Sequence, residues 1–378
     1  MQRTTLNNAL SAAEHPILLT SEAQLRDAER AWADAAILGI DTEFVRERTY
    51  RAELGLVQIS DGETAWLYDP QAFEDAAPLT RLLEDDSCLK VLHSGSEDLE
   101  VLLHSVSALP DPLVDTQIAC AMLGQPLQLA YHGAVKWLFD VEIEKDQTRS
   151  NWCRRPLTDN QLRYAAMDVV LLPDMCSLLR DRLQKEGRWS WLEEDVARLQ
   201  RGALAPVDPE LAYLRIGGAP RLDDAGLATL QALAEWRERT AAERNRARGF
   251  VISDAGLMQL AREKPSSARQ LESLDQVHPG ARRRYGADLL QLIARSRSSQ
   301  GSVVMPEPLD GRQQKILKRM KDIVARQARS LGIEAALLAS RKELEKLVRS
   351  AAAGEPPPER FLGWRKEVIT DELLAVIG

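Results

Sequence analysis

Two carboxylates end an apolar run near the start of the chain. The run is AILGI, residues 36–40, and Asp41 and Glu43 follow it with one residue between them. Side chains two apart in a strand point to the same face, so both acids would project together from the strand's carboxyl end. Adjacent carboxylates repel, and one stays protonated unless a cation lies between them. The pair is therefore typical either of a site for a divalent metal such as Mg²⁺ or of a strand end with two solvated acids.

A third carboxylate, Asp98, follows another apolar run, LKVLH at residues 89–93. Ser94 and Glu97 have the spacing of a capping box, which predicts a helix with Asp98 in its first turn at the carboxyl edge of a sheet. The helix dipole also favours an acid at this position. The pattern alone does not separate a metal ligand from a structural acid.

A tyrosine and an aspartate share one helix face in the segment TDNQLRYAAMD, residues 158–168. Thr158 and Gln161 form a second capping box. Tyr164 and Asp168 are four residues apart, so their side chains are neighbours on the helix. The alternative to chemistry is a partly buried tyrosine that hydrogen-bonds an aspartate one turn away.

The elements that must position these residues alternate between strand and helix over the first 200 residues. Asp61-Gly62 is a hairpin turn between two of the strands. This alternation predicts an α/β domain, a mixed sheet flanked by helices, over residues 1–203. The predicted strands are Leu38–Phe44, Leu54–Ser60, Thr64–Tyr68, Leu89–His93 and Leu113–Thr116, and the predicted helices are Ser21–Ala35, Leu79–Leu83, Ser96–Leu103 and Asp159–Gln184.

Only helical patterns follow the linker at residues 205–209. A Ser/Gly-rich gap at 296–302, with Pro306 and Pro308 after it, splits this part into predicted all-α modules at 210–298 and 306–378. A constant offset of 81 aligns identical residues of the two modules and suggests a repeat. The aligned pairs are Ala247/Ala328, Arg248/Arg329, Ile252/Ile333, Ala255/Ala336 and Leu257/Leu338.

Composition is that of a globular protein with a sizeable core, since 44% of the 378 residues are hydrophobic and 28% are charged. No apolar run approaches the roughly 18 residues of a membrane span. The first 20 residues lack the apolar segment of a signal peptide. The four cysteines are never spaced as CxxC, which favours reduced thiols. Together these features predict a cytoplasmic protein without a membrane partner.

The net charge of -8 conceals an acidic and a basic half. Residues 1–200 carry 19 Lys+Arg against 34 Asp+Glu, and residues 201–378 carry 30 against 23. This asymmetry suggests an acidic site for cations and a basic surface for a polyanion, although two unrelated domains could also differ this way. Aromatic residues are few in the basic half, so base stacking is expected to be minor. The basic groups are Arg237, Arg239, Arg244, Arg246 and Arg248, then Arg282–Arg284, and Lys315, Lys318, Arg319 and Lys321.

The motifs DTEF, HSGSEDLEVL and YAAMD resemble, in order and spacing, the three motifs of the DEDD 3′–5′ exonucleases, in their tyrosine subgroup. The surrounding stretches LGLVQIS, VDTQIA, NWCRRPLT and YAAMDVVLLP are similar to the ribonuclease D family. The two helical modules resemble the helicase-and-RNase-D C-terminal (HRDC) domains of that family. The resemblance covers nearly the whole chain and implies a ribonuclease H-like exonuclease domain followed by two HRDC-type modules.

The resemblance further implies a two-metal-ion site with Mg²⁺ or Mn²⁺. Asp41 would bridge both metals, while Glu43 and Asp168 would serve the metal that carries the attacking water. Asp98 would serve the second metal, and Tyr164 would orient the water. The implied activity is 3′–5′ exoribonuclease, releasing nucleoside 5′-monophosphates from RNA with a free 3′-OH, tRNA precursors in particular, by a monomer.

Substrate contacts are predicted for residues that flank these motifs. A DNA exonuclease of the same fold remains an alternative, since no residue plainly reads a 2′-OH. A nucleic-acid-binding scaffold with an inactive nuclease site is a second alternative, against which the complete set of carboxylates argues. The predicted substrate-binding residues are Thr42, Phe44, His93, Trp152 and Arg154, with Arg155 beside them.

Overall fold

A computed structural model describes residues 2–143, 150–298, 305 and 307–377. The chain divides into two compact units. Unit 1 comprises Met1–Val45, Leu54–Leu204 and Leu309–Gly378, and unit 2 comprises Arg46–Glu53 and Ala205–Pro308. The C-terminal helical segment thus belongs to the same unit as the α/β segment.

The strands of unit 1 form a six-stranded mixed sheet with the order β1-β4-β3-β2-β5-β6. The β1–β4, β2–β5 and β5–β6 pairs are parallel, and β3–β4 is antiparallel across the predicted Asp61-Gly62 turn. All five predicted strands are confirmed to within two residues at either end. The strands are β1 (Ile17–Leu19), β2 (Ile37–Val45), β3 (Glu53–Ser60), β4 (Ala65–Tyr68), β5 (Leu89–Leu92) and β6 (Leu113–Asp115).

Helices flank this sheet, and the described residues of the second half are helical. The predicted fold class is therefore confirmed. The helices before residue 205 are α1 (Gln2–Glu14), α2 (Glu22–Asp34), α3 (Ala77–Leu83), α4 (Ser96–Ser105), α5 (Thr116–Met122), α6 (Tyr131–Phe139), α7 (Asp159–Val170), α8 (Leu172–Lys185) and α9 (Trp189–Leu204). The remaining helices are α10 (Asp224–Glu243), α11 (Arg248–Val251), α12 (Asp254–Glu263), α13 (Ala268–Glu272), α14 (Pro279–Ser298), α15 (Gly311–Leu331), α16 (Ala335–Leu338), α17 (Arg341–Ala352) and α18 (Asp371–Ala375).

The prediction of one long helix over Asp159–Gln184 is wrong. The chain forms α7 and α8 instead, with a break at Leu171. Pro173 occupies the first turn of α8, where its missing N–H is tolerated, whereas inside a continuous helix its ring would clash with the preceding turn. The predicted capping box of Thr158 and Gln161 is confirmed at the start of α7.

Several elements of unit 1 were not predicted from the sequence. Strand β1 spans only three residues, too few for a periodic pattern, and helices α1, α5, α6 and α9 were also not predicted. The predicted break at residue 296 also comes too early, because α14 continues to Ser298. The rest of that predicted gap, residues 299–304 and Pro306, lies outside the described residues.

The two helical modules repeat, but not at the predicted offset of 81. Their long first helices begin after the capping residues Asp223 and Asp310, which are 87 residues apart. Ser253 and Ser340, the caps of α12 and α17, have the same separation. The offset of 81 aligned residues of the same type, but it did not align the equivalent N-cap residues of the two modules. Buried apolar pairs support the separation of 87: Leu230/Leu317, Leu233/Met320, Ala241/Ala328, Leu257/Leu344 and Leu260/Leu347.

Close packing of β2 against the α7–α8 junction depends on Gly39. A Cβ at this position would lie 2.7 Å from the Val169 carbonyl oxygen and 2.8 Å from Leu172 Cβ. We therefore expect Gly39→Ala to lower the free energy of unfolding by about 1–3 kcal/mol, since neither neighbour is a flexible side-chain end. Thermal unfolding measures this loss. Gly202→Ala in α9 is the matched control, because no atom lies within 4 Å of its added methyl group, and it should leave stability unchanged or raise it.

Candidate active site

The parallel strands β2, β5 and β6 direct their carboxyl ends to one edge of the sheet. Residues Ile37–Gly39 of β2 pair with Leu89–Val91 of β5, and Lys90–Leu92 pair with Leu113–Asp115 of β6. Asp41 and Glu43 lie in the last half of β2, and Asp98 follows β5 in the first turn of α4. Edges of this kind are where α/β folds place their sites.

Asp41 and Glu43 share the face of β2 that Gly39 presents to α7 and α8, because side chains alternate along a strand. Asp168 lies on α7 and completes this side of the cluster. Electrostatic interactions join Asp41 to each of Glu43, Asp98 and Asp168. The fold thus gathers the four predicted carboxylates from β2, α4 and α7.

Asp98 is buried and accepts a hydrogen bond from the Thr42 hydroxyl at 2.5 Å. Thr42 lies between the two acids of β2 and is itself 5% exposed. Its side chain therefore orients a carboxylate. The predicted contact of Thr42 with the terminal nucleotide, through its backbone, stays a prediction.

The turn before α4 is held by Asp115, not by the predicted capping box. The helix begins after Gly95, which has no side-chain cap, and Ser94 adopts a positive φ of 65°. The Asp115 carboxylate accepts hydrogen bonds from the backbone N–H of Ser94 at 3.2 Å and of Gly95 at 2.9 Å. It also caps α5 through the N–H groups of Gln117 and Ile118. One aspartate at the end of β6 therefore fixes the turn that carries Asp98.

Burial raises the pKa of every carboxyl group in the cluster, and the charges of neighbouring acids in the cluster raise the pKa of Asp41 and of Glu43 further. Burial, followed by the charges of the other three acids, raises the pKa of Asp41 well above its usual range. Burial and the charges of Asp168 and Asp98 raise the pKa of Glu43 to about 8. Burial raises the pKa of Asp98 to about 6 and of Asp168 to about 7. Such crowding favours a bound cation, which stabilises the ionised forms.

Tyr164 lies one turn before Asp168, and its hydroxyl is close enough to lower the pKa of that carboxyl group. Burial and the charges of Asp168, Glu43 and Asp41 raise the pKa of Tyr164 itself. The ring centroid is 6.1 Å from that of Trp152. Trp152 is 2% exposed and packs under Gly55, so the prediction that it contacts RNA is not supported, and it supports Tyr164 instead.

His93 makes its side-chain hydrogen bonds within the protein. Its Nδ1 is 2.8 Å from Thr116 Oγ1, and its Nε2 is 2.8 Å from the Leu129 carbonyl oxygen. Both ring nitrogens are thus engaged, and the predicted substrate contact finds no support. Phe44 is partly buried and Arg154 is exposed, so the substrate contacts predicted for both stay predictions.

Arg155 holds the segment before α7 in place. Its Nε lies 2.6 Å from Asp69 Oδ2, and its terminal nitrogens donate to the carbonyl oxygens of Trp152 and Gly55, both at 2.7 Å. The sequence analysis placed this residue among possible RNA contacts. The structure instead assigns its guanidinium to a partly buried ion pair.

The donor chemistry of the cluster fits a hard divalent cation, since all four groups are carboxylates. Within the described residues, however, no three His, Cys, Asp or Glu side chains converge closely enough, as they stand, to hold a metal ion. The four carboxylates therefore lie at one sheet edge, but no three of them are close enough together to coordinate one metal ion. Repulsion between uncompensated carboxylates is a physical reason for this spacing.

Two further polar residues lie outside the predicted motifs, and one of them, Tyr131, interacts with Asp168. The Tyr131 hydroxyl donates to the Met167 carbonyl oxygen at 3.0 Å, and Tyr131 also faces the Asp168 charge. Gln58 on β3 is fully buried, and neither of its amide atoms has a hydrogen-bond partner among the described residues. A lone glutamine inside the apolar run LGLVQIS was the sequence signal for the latter.

A mixed sheet of this order, with three carboxylate-bearing elements meeting at one edge, belongs to the 3′–5′ exonucleases. The 3′–5′ exonuclease family model matches residues 16–186, the HRDC domain model matches residues 226–293, and the ribonuclease D C-terminal HRDC model matches residues 312–373. Ribonuclease D of Pseudomonas paraeruginosa is 39% identical over 361 residues, which cover 94% of this chain and 96% of that protein. The chain belongs to the ribonuclease D family and is a 3′–5′ exoribonuclease.

Solved structures agree with this assignment. The crystal structure of Escherichia coli RNase D, described as an exoribonuclease involved in structured RNA processing, matches with a TM-score of 0.86 and 33% identity, covering 96% of this chain and 98% of that one. The catalytic core of RRP6 from Trypanosoma brucei shares the fold, with a TM-score of 0.61 and 21% identity over 75% of this chain and 80% of that one. No helix among the described residues is long and apolar enough to cross a membrane.

Proposed function

We propose that this exoribonuclease trims the 3′ ends of structured RNA, tRNA precursors among them, and releases nucleoside 5′-monophosphates by a two-metal-ion mechanism. The observation that carries the proposal is the mutual electrostatic interaction of Asp41 with Glu43, Asp98 and Asp168 at one sheet edge. The role of the Escherichia coli relative in structured RNA processing supports the choice of substrate.

Asp41, Glu43, Asp98 and Asp168 would hold two divalent ions, Mg²⁺ or Mn²⁺. Bound there, the ions would supply Lewis-acid stabilisation of the negative charge that develops on the phosphate and on the leaving 3′-oxygen. Thr42 contributes by fixing Asp98, because its hydroxyl occupies one carboxylate oxygen of that residue. Asp115 contributes by holding the turn before α4.

Tyr164 would orient the attacking water rather than remove its proton. A phenol ordinarily titrates near pH 10, and the neighbouring carboxylates raise the pKa of Tyr164 further. The neutral hydroxyl can then donate to Asp168 or accept from a water. The terminal nucleotide would lie against the backbone of Thr42 and the ring of Phe44, with Arg154 at the RNA backbone. We propose a cytoplasmic monomer as the working form.

One assay tests the proposed function. A labelled tRNA precursor with a free 3′-OH is compared with the same RNA blocked by a 3′-phosphate and with a DNA of matching sequence, each in Mg²⁺, Mn²⁺ or EDTA. We expect stepwise release of 5′-monophosphates from the unblocked RNA and none in EDTA. Equal degradation of the DNA, or hydrolysis in EDTA, would contradict the proposal.

The variant Tyr164→Phe tests whether Tyr164 orients the attacking water or contributes to metal binding. Because only a hydroxyl is lost, we expect kcat on a short RNA to fall by about 10²-fold while the Mg²⁺ concentration for half-maximal activity stays unchanged. Tyr68→Phe is the matched control, since its hydroxyl donates to the Asp75 carbonyl oxygen. Steady-state kinetics at several Mg²⁺ concentrations measure kcat and the Mg²⁺ concentration for half-maximal activity in each variant. Loss of metal affinity in Tyr164→Phe would assign the tyrosine a different role.

A further inference from the structure

Unit 2 contains a cavity of about 550 Å³ that the exonuclease chemistry does not use. It is formed by the chain from Arg246 to Ser253 and by the start of α14. We call it the Tyr285 pocket. The lining side chains used in the argument are Arg246, Phe250, His278, Arg284 and Tyr285.

The Tyr285 pocket carries uncompensated positive charge. Neither Arg246 nor Arg284 forms an ion pair within the described residues, and no acidic residue lines the cavity. A second cavity in unit 2, of about 440 Å³, differs in charge. It contains Arg237, which is paired with Asp254 at 2.6 Å. That cavity is therefore locally neutral.

Ion pairs engage some arginines of the predicted basic groups in unit 2. The four pairs are Arg237 with Asp254, Arg239 with Glu235, Arg248 with Glu238 and Arg282 with Glu272. Arg244, Arg246, Arg283 and Arg284 form no ion pair within the described residues. Two of these four, Arg246 and Arg284, line the Tyr285 pocket.

An exposed aromatic ring lies beside one of these arginines. Phe250 is 53% exposed, and the Arg246 guanidinium lies 5.8 Å from its ring centroid. The Phe250 ring thus offers an exposed apolar face beside a positive charge. A nucleic-acid base can stack on such a ring, and an arginine beside it can contact the adjoining phosphate.

Tyr285 forms a rigid part of the wall of this pocket. The residue is only 3% exposed. Trp236 contacts its ring edge-on at 5.2 Å, and the Arg244 guanidinium lies 5.4 Å from the ring centroid. These contacts fix the ring where it lines the cavity.

We propose that the Tyr285 pocket binds one unpaired nucleotide of the RNA substrate. The base stacks on Phe250, and a phosphate lies between Arg246 and Arg284. This inference rests on the exoribonuclease function and adds a nucleotide site outside the carboxylate cluster. It also replaces the expectation that base stacking is minor in this half of the chain.

The test is equilibrium binding of a 5′-labelled single-stranded RNA of about 20 nucleotides with a 3′-phosphate, in EDTA, followed by fluorescence anisotropy. Phe250→Ala should weaken binding about tenfold, the effect expected for one lost base stack. The Arg246→Ala/Arg284→Ala variant should lower the slope of log K against log salt by about 0.7 for each arginine.

Matched controls come from the same unit. Arg283→Ala removes an exposed arginine that does not line the pocket, and Leu211→Ala removes an apolar side chain that is 50% exposed. Neither is expected to change affinity by more than twofold, since neither touches the pocket. If Phe250→Ala binds as Leu211→Ala does, or if the double variant keeps the wild-type salt slope, the proposal is overturned.

Turnover of a trinucleotide separates this proposal from the exonuclease assignment. If the wild type hydrolyses the trinucleotide but Phe250→Ala binds the long strand normally, only the Tyr285 pocket proposal fails. If the wild type hydrolyses nothing, the proposed function itself fails. Photo-crosslinking with RNA that carries 4-thiouridine gives a direct readout, with crosslinks expected in residues 246–253 and 278–285. Crosslinks in unit 2 confined to other residues would contradict the proposal.

Discussion

We expect Asp41→Asn to abolish detectable RNA hydrolysis while the protein keeps its fold. Asp41 interacts electrostatically with all three other carboxylates, so it lies among all the groups that would hold the cations. An amide supplies no negative charge, and the lost stabilisation of the phosphate transition state should lower kcat/KM by about a thousandfold or more. A quantitative assay on a short RNA with saturating Mg²⁺ measures the effect.

Stability measurements distinguish this loss from unfolding. Burial and repulsion raise the pKa of Asp41, so a neutral residue at this position removes an unfavourable charge when no cation is bound. In EDTA, Asp41→Asn should therefore melt at or above the wild-type temperature. Asp159→Asn, an exposed acid in the first turn of α7, is the matched control and should keep full activity. Near-normal hydrolysis by Asp41→Asn would refute the metal-ligand assignment.

The sequence predicted the parts of the site that depend on local spacing. Asp41 and Glu43 were recognisable because alternation along a strand places them on one face, and Tyr164 and Asp168 because four residues make one helix turn. The strands that bring them together were predicted from the same periodicity. The fold class and the four candidate carboxylates could thus be predicted from short-range patterns together with the family resemblance.

The supporting contacts could not be predicted, because they join residues far apart in the chain. Thr42 fixes Asp98 across 56 positions, and Asp115 holds Gly95 across 20. Arg237 is paired with Asp254 rather than solvated. In each case the residue type allowed several roles, and the tertiary partner selected one.

The Asp195–Arg365 ion pair is another contact that could not be predicted from the sequence, since 170 positions separate the two residues. Both side chains are less than 5% exposed, and two hydrogen bonds of 2.6 and 2.7 Å join them. Arg365 also donates to the Leu338 carbonyl oxygen, and Trp364 donates to Asp195 at 3.2 Å. Within unit 1 this pair therefore joins α9 to the C-terminal helical segment.

Asp195→Ala leaves Arg365 buried without its counter-charge, so we expect unit 1 to lose about 3–5 kcal/mol of stability. Thermal unfolding measures the loss, and near-ultraviolet circular dichroism reports the stacked pair Trp191–Trp364, whose centroids are 4.4 Å apart. Arg201→Ala is the control: it breaks the exposed Arg201–Glu359 pair and should cost less than about 1 kcal/mol.

The pH dependence of this contribution follows from the pKa of Asp195. Burial alone would raise it, but the hydrogen bonds and charge of Arg365, aided by Arg360 and Arg198, outweigh burial and hold the pKa below its usual range. The unfolded state therefore binds this proton more readily than the folded state does. The stabilisation is complete above the ordinary carboxyl pKa of about 4 and is lost as the pH falls below it.

Wild type and Asp195→Ala should consequently differ most in stability at neutral pH, and the difference should shrink as the pH falls below the ordinary carboxyl range. An Asp195→Leu/Arg365→Leu variant should recover part of the loss, because it removes both buried charges together. A double variant no more stable than Asp195→Ala would show that the Arg365 contacts with the Leu337 and Leu338 carbonyl oxygens, rather than the ion pair, hold the C-terminal segment in place.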